Sequence, residues 1–255
     1  MTSTQTPSAP TALILGASGA IGSAIARVLA EDGWDLVLTH RRDSEAFSGL
    51  VAALSATSAS VRTVKADLTD QAVGEVLAEA VGPSPLQGVV YASGPTIRMT
   101  HISKISPAEV RGQFEADTLG FYTAIHALIP ALRKGRGALV SITSAAINRY
   151  AKKDMLSVAP KAAVEAMTRG IAAEEGRFGV RANSIGVGVI DSGLWHDLMA
   201  QGAYTEEYLN AARRAIALPR FGTAEDIAQA TRFLLSPEAG WISGQLLNVD
   251  GGYAL

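Results

Sequence analysis

No cysteine occurs among the 255 residues. That excludes disulfides, thiolate metal ligation and a cysteine nucleophile, and it fits a reducing, cytoplasmic compartment. Charge of one sign is also missing: 22 Lys and Arg stand against 24 Asp and Glu, a net −2. Such a balance leaves no electrostatic footprint for wrapping nucleic acid or docking on anionic lipid. No apolar run approaches the roughly 20 residues that span a bilayer. The four histidines, at 40, 101, 126 and 196, have no ligand spacing, so no metal site is expected. What the chain does have is 48% apolar and 18% charged residues, enough for one sizeable core in a single domain over 12–255. The stretch 1–11 is rich in Ser, Thr and Pro with neither a basic start nor an apolar segment, and reads as a disordered leader.

Short apolar runs alternate with longer amphipathic ones, the rhythm of βαβ units around a parallel sheet. Strands are expected at about 12–15, 35–39, 61–65, 88–92, 137–142, 180–185 and 246–249, with helices between them. Strands buried on both faces should be almost continuously apolar, and Ala12-Leu13-Ile14-Leu15 and Ala138-Leu139-Val140 are. The long stretch from Val187 to Pro219 has no strand rhythm. It follows the carboxyl end of the sixth strand, where ligands of α/β sheets sit, and is the candidate substrate lid, with Trp195, Met199 and Tyr204 as its apolar residues.

The first strand runs into Gly16-Ala17-Ser18-Gly19-Ala20-Ile21-Gly22 and then an amphipathic helix. Glycines at a strand-to-helix turn let backbone approach a pyrophosphate, and the helix N-terminus offers free N–H groups to it; the alternative is a tight turn packed with small residues. The second strand ends in His40-Arg41-Arg42, where dinucleotide folds meet the adenosine ribose. Arg without an acidic neighbour there suits a 2′-phosphate, hence NADP(H) over NAD(H), unless the pair is merely a solvated loop.

Further motifs extend the pattern: Asp67-Leu68-Thr69, Ala92-Ser93-Gly94, Ile142-Thr143-Ser144, Lys161-Ala162-Ala163, Arg181-Ala182-Asn183-Ser184, Pro219-Arg220-Phe221-Gly222 and Ser243-Gly244 through Asp250-Gly251-Gly252. Together they resemble the short-chain dehydrogenases/reductases over nearly the whole chain. The resemblance implies a Rossmann α/β fold with a seven-stranded parallel sheet and helices on both faces, a bound nicotinamide cofactor and a homo-oligomer, a tetramer or dimer. It implies cofactor contacts at Gly16, Ser18, Gly19, Ile21, Gly22, Arg41, Arg42, Asp67, Leu68, Ala92, Ser93, Gly94 and Lys161. The segment from Val189 to Ser192, with Ile190 and Ser192, would hold the carboxamide. The tetramer is expected to pack through helices around 107–133 and 157–178, whose Phe114, Phe121, Ile125, Leu128, Ile129, Val164, Met167 and Ile171 exceed what one sheet face needs.

Departures fall at the catalytic centre. Tyr91-Ala92-Ser93-Gly94 stands for the family's Asn-Asn-Ala-Gly, and Asp117 for its helix Asn. Ser157-Val158-Ala159-Pro160-Lys161 stands for Tyr-x-x-x-Lys. A tyrosine can be brought toward neutrality by an adjacent ammonium, whereas an aliphatic hydroxyl is too weak an acid to follow. The catalytic candidates are therefore Ser144, Lys161, Asp117, Ser157 and Tyr150, the last being the lone tyrosine between Ser144 and Ser157. Asp117-Thr118-x-Gly120-x-Tyr122, Ile142-Thr143-Ser144 with Asn148-Arg149 downstream, and Lys161 without the family tyrosine are together similar to the 2,4-dienoyl-CoA reductases. The expected reaction is NADPH-dependent hydride transfer to a small or acyl-type substrate, an activated C=C group. The alternatives are a carbonyl (3-oxoacyl-type) reductase with a displaced acid and a silent dinucleotide-binding homologue acting as a partner or sensor.

Overall fold

A strand that is apolar on successive residues buries both of its faces, and five of the strands do so because helices cover the sheet above and below. The computed structural model describes residues 9–192, 206–214 and 216–255. Among the described residues the strands are β1 (Thr11–Leu15), β2 (Asp35–His40), β3 (Val61–Lys65), β4 (Gly88–Tyr91), β5 (Ala138–Ser144), β6 (Arg181–Val187) and β7 (Leu246–Val249). All pair in parallel in the order β3-β2-β1-β4-β5-β6-β7. The seven expected strands are all present, with ends differing by at most two residues. The chain reverses its direction of travel across the sheet between β1 and β4, so their carboxyl ends open a crevice.

The helices are α1 (Ala20–Glu31), α2 (Glu45–Ser55), α3 (Val73–Val81), α4 (Pro107–Gln113), α5 (Gly120–Gly135), α6 (Met155–Glu175), α7 (Glu206–Arg214) and α8 (Ala224–Leu235). Successive residues of a strand point to opposite faces. Ile14, Leu36, Leu38 and Val140 accordingly join α1, α2 and α8 in one core, while Leu13, Leu15, Val37 and Leu139 join α3, α5 and α6 in the other. Arg181 opens β6 and donates to the carbonyls of Leu234, Leu235 and Ser236, so part of the Arg181-Ala182-Asn183 motif caps the C-terminus of α8.

Four expectations need correction. Thr11 is not leader but the first residue of β1, paired with Asp35, because the β1–β2 ladder starts there; residues 1–8 lie outside the described part. The stretch after β6 contains α7, a short and predominantly polar helix with few apolar residues to announce it; Trp195, Met199 and Tyr204 lie outside the described residues. The helix expected around 107–133 is interrupted by a π-helical turn, Phe114–Leu119. Finally, Phe121, Ile125, Leu128 and Val164 are at most 1% exposed inside the protomer's own core, so they supply no intersubunit surface. The large apolar side chains exposed in these segments are Leu119, Tyr122 and, at the end of the second, Phe178.

Candidate functional site

The crevice begins at the turn from β1 into α1. Gly16 has φ +83, and a Cβ on it would lie 2.8 Å from the Ala92 carbonyl oxygen at the end of β4. A Cβ on Gly22 would lie 2.3 Å from the Gly16 carbonyl oxygen. These two positions admit only glycine, which packs the first turn of α1 tightly under the loop. No side chain caps α1: its N-cap is Gly19, with Ser18 and Gly19 exposed, Ile21 half-buried and the helix start open to an anion.

Across the crevice, Arg41 and Arg42 follow β2 and are both exposed. Asp67, past β3, accepts from Thr69 N and Thr69 Oγ1 at 3.0 and 2.8 Å. Those bonds hold its carboxyl below the usual range, and the charges of Arg41 and Arg42 add to the effect. The two arginines and Asp67 therefore share one electrostatic neighbourhood, although their residues are far apart in sequence. An acid does lie near the end of β2: Asp43 accepts from Lys65 Nζ at 2.9 Å and sits 3.1 Å from His40 Nε2. Hydrogen bonds from Lys65 and His40 lower its pKa, so this carboxylate is already partnered within the protein.

The centre of the site is a buried ion pair. Asp117 is 2% exposed and sits in the π-helical turn, where the widened backbone carries it toward the end of β4. Its Oδ1 accepts from Lys161 Nζ at 3.0 Å and from the Tyr91 hydroxyl at 2.8 Å. Lys161, two turns into α6, also donates to the Ser93 carbonyl at 2.8 Å and stands 5.0 Å from the Tyr91 ring centroid. Two of the ammonium's three donors are used in this way, which leaves one for a ligand. Burial, with the Asp117 charge behind it, pushes the Tyr91 phenol well above its usual value, so Tyr91 is a fixed donor. Neither ion would be tolerable in this interior alone; paired and hydrogen-bonded, they are. Leu68 packs on Gly120 just past the π turn, where a Cβ would come within 2.9 Å of it, and Gly94 lies beside Lys161.

Ser144 ends β5, half-buried, and its Oγ accepts from Ala146 N at 3.2 Å, which caps the short turn that follows. Ser157 is half-buried in the first turn of α6, four residues before Lys161. Tyr150 is 55% exposed in the loop before α6 and is not drawn into the buried cluster. Past β6, Ile190 bridges to Gly222 and buries its side chain; Ser192 N donates to the Ile190 carbonyl. A cavity of about 500 Å³ adjoins this bridge, lined by Val189, Ile190, Leu218, Gly222, Asn248 and Gly251 among others.

Sequence reasoning missed two residues. Tyr91 passes as an ordinary strand aromatic, although its place in the stretch that departs from Asn-Asn-Ala-Gly was a usable signal. Asp154 is the N-cap residue of α6, and no motif marks it.

A family model described as Enoyl-(Acyl carrier protein) reductase matches residues 16–254. The oxidoreductase YmfI of Bacillus subtilis is 30% identical over 245 residues, covering 95% of this chain and 98% of that protein. An A-factor type gamma-butyrolactone 1′-reductase (1S-forming) of Streptomyces virginiae is 32% identical over 248 residues, 96% of this chain and 95% of that one. Among solved structures, a short-chain type dehydrogenase/reductase from Mycobacterium ulcerans superposes with a TM-score of 0.88 at 26% identity, covering 96% of this chain and 90% of that one. A blue fluorescent protein from a metagenomic library, solved in complex with NADPH, superposes with a TM-score of 0.86 at 27% identity, covering 96% and 98%.

Proposed function

Since the chain belongs to the short-chain dehydrogenase/reductase family of oxidoreductases, we propose that it is a cytoplasmic NADPH-dependent reductase that saturates an activated carbon–carbon double bond of a small or acyl-type substrate. The residues fit the cofactor. Gly16 and Gly22 form a cradle that any Cβ would fill, the N-terminus of α1 is uncapped toward it, and Arg41 and Arg42 offer charge for a 2′-phosphate. Asp67 and Leu68 would flank the adenine, and Ala92, Ser93 and Gly94 the adjoining ribose. Ile190 and Ser192 would present backbone to the carboxamide. When bound, the nicotinamide supplies a hydride.

The observation that carries this reading is the cluster around Lys161: an ammonium held by Asp117 and Ser93, with Ser157 where the family has its phenol. Lys161 binds the nicotinamide ribose and supplies positive charge, Asp117 orients Lys161, and Ser144 donates to the substrate's carbonyl oxygen. Hydride addition to the β-carbon of an enone or enoyl thioester places charge on that oxygen, where donors stabilise it, and protonation at carbon can follow separately. Ketone reduction requires a strong acid on the oxygen itself, which Ser157 cannot supply. The similarity to 2,4-dienoyl-CoA reductases at Asp117, Ser144 and Lys161 supports the same reading.

The test is NADPH consumption with a panel of enones, enoyl and dienoyl thioesters and ketones. Turnover of the conjugated substrates is expected; ketone turnover alone would overturn the reading in favour of carbonyl reduction. The working form is a homo-oligomer, a tetramer as the family resemblance implies, with exposed Leu119 and Tyr122 at the contact. A monomeric mass by light scattering at micromolar concentration would contradict that part.

A further inference from the structure

A reduction that ends in a new C–H or O–H bond needs a proton, and the residues assigned so far leave its source open. Tyr91 is held as a donor to Asp117, and Ser157 is too weak an acid. One titratable side chain that none of these roles uses is Asp154. It is the N-cap residue of α6, yet its carboxylate caps no backbone N–H, and its Oδ1 is fully buried with no hydrogen-bond partner among the described residues. A buried carboxyl oxygen left without a partner is costly and calls for an explanation.

Position supplies one. At about 3.6 residues per turn, residues 154, 157 and 161 fall along one face of α6, and this is the face by which Lys161 reaches Ser93 and Asp117. Asp154 lies one turn upstream of Ser157. Between Asp154 and Lys161 on that face stands the small side chain of Ser157, where the family has a phenol. The backbone just before Asp154 is also held in an uncommon state: Lys153 has φ +73, one of two non-glycine residues with positive φ among those described. Thr100 N donates to the Lys153 carbonyl at 3.0 Å and fixes this geometry from the β4–α4 loop. Strain of this kind persists only where surrounding structure imposes it, and it gathers at functional positions.

We propose that Asp154 is the proton donor of the reduction, supplying from the first turn of α6 what the family takes from the residue at 157. The proposal rests on the C=C reading above. The β-carbon gains a hydride with its two electrons, charge collects on the carbonyl oxygen as an enolate, and the Asp154 O–H bond breaks as a C–H bond forms at the α-carbon. The carboxylate left behind takes a proton from water. Burial alone pushes the Asp154 carboxyl up to about 7, so it holds a proton near neutrality and can release one. The titratable and charged groups on the two segments packed here are Arg149, Tyr150, Lys152 and Lys153 before it and Arg98, His101 and Lys104 on the β4–α4 loop; all are exposed.

The experiment compares the full-length protein with Asp154→Asn and Asp154→Glu, using NADPH and an α-substituted enone in deuterated water. Expected are a 10²–10⁴-fold lower kcat for Asp154→Asn, as a positioned acid of this kind contributes about that factor, partial rescue by Asp154→Glu, and loss of facial selectivity in α-carbon deuteration. Unchanged kcat and unchanged selectivity in Asp154→Asn would overturn the proposal. If the unmodified protein reduces ketones and not enones, the C=C reading fails, and Asp154 is judged by the same kcat comparison on the ketone. A readout that needs no turnover is the carboxylic-acid C=O band in the infrared at pH 6. It should vanish in Asp154→Asn, and its absence from the unmodified protein would also overturn the assignment.

Discussion

Replacing Tyr91 by phenylalanine removes one oxygen and keeps the ring. The ring is fully buried and packs edge-on against Phe121 at a centroid distance of 5.0 Å, so Tyr91→Phe should preserve the core. What goes is a 2.8 Å hydrogen bond to the Asp117 carboxylate, which also accepts from Lys161. A hydrogen bond to a charged group contributes about 1.5–3 kcal/mol, and its loss inside the protein leaves a buried carboxylate short of a donor. For a chain of this length each kcal/mol shifts Tm by roughly 2–4 °C, so Tyr91→Phe should unfold about 3–12 °C earlier in a thermal melt followed by circular dichroism. In an Asp117→Asn background the phenol would donate to a neutral amide, a bond of about 0.5–1.5 kcal/mol, and the same substitution should cost correspondingly less. The difference between the two backgrounds isolates the charge-dependent part. Equal losses in both would show that Tyr91 acts through packing alone, and an unchanged Tm would refute the reasoning altogether.

Arg41→Ala should weaken NADPH binding roughly 10- to 150-fold by fluorescence titration and leave NADH almost untouched, the arithmetic of one charge-assisted hydrogen bond; equal loss for both cofactors would contradict the 2′-phosphate role. Lys161→Ala and Asp117→Ala should each lower kcat by about 10²–10⁴-fold, with Ser157→Ala much milder, in steady-state assays on a conjugated substrate. Asp154 also makes a stability prediction with a definite sign. Its folded carboxyl, at about 7, lies above the unfolded value, so between about pH 4 and pH 7 the folded state keeps a proton that the unfolded state has released, and stability falls as pH rises through that window. At about 1.4 kcal/mol per pH unit the loss reaches about 4 kcal/mol at most. Asp154→Asn should accordingly outlast the unmodified protein in urea at pH 8 and match it at pH 4.

The sheet and its ligand-facing edge were legible in the chain because their signals are local. Short apolar or β-branched runs such as Ala12–Leu15 and Leu36–Leu38, spaced by amphipathic stretches, can be read without knowing what they touch, and the alternation they set up places the seven strands. The turn at Gly16 and Gly22 was legible for the same reason: the requirement for no Cβ acts within one turn of backbone. Pairings across the fold were not. Tyr91, Asp117 and Lys161 come from β4, a π-helical turn and α6, and nothing in the spacing of 26 and 44 residues says that one carboxylate oxygen receives both donors. Asp43 and its neutralisation by Lys65 depend on the β2–β3 register in the same way. Exposure was beyond the sequence too: Phe121, Ile125 and Leu128 look like surplus apolar surface on a helix until α3 and β4 are packed against them. Asp154 shows the limit most directly, since a carboxylate's acidity depends on how much water reaches it, and only the tertiary structure decides that.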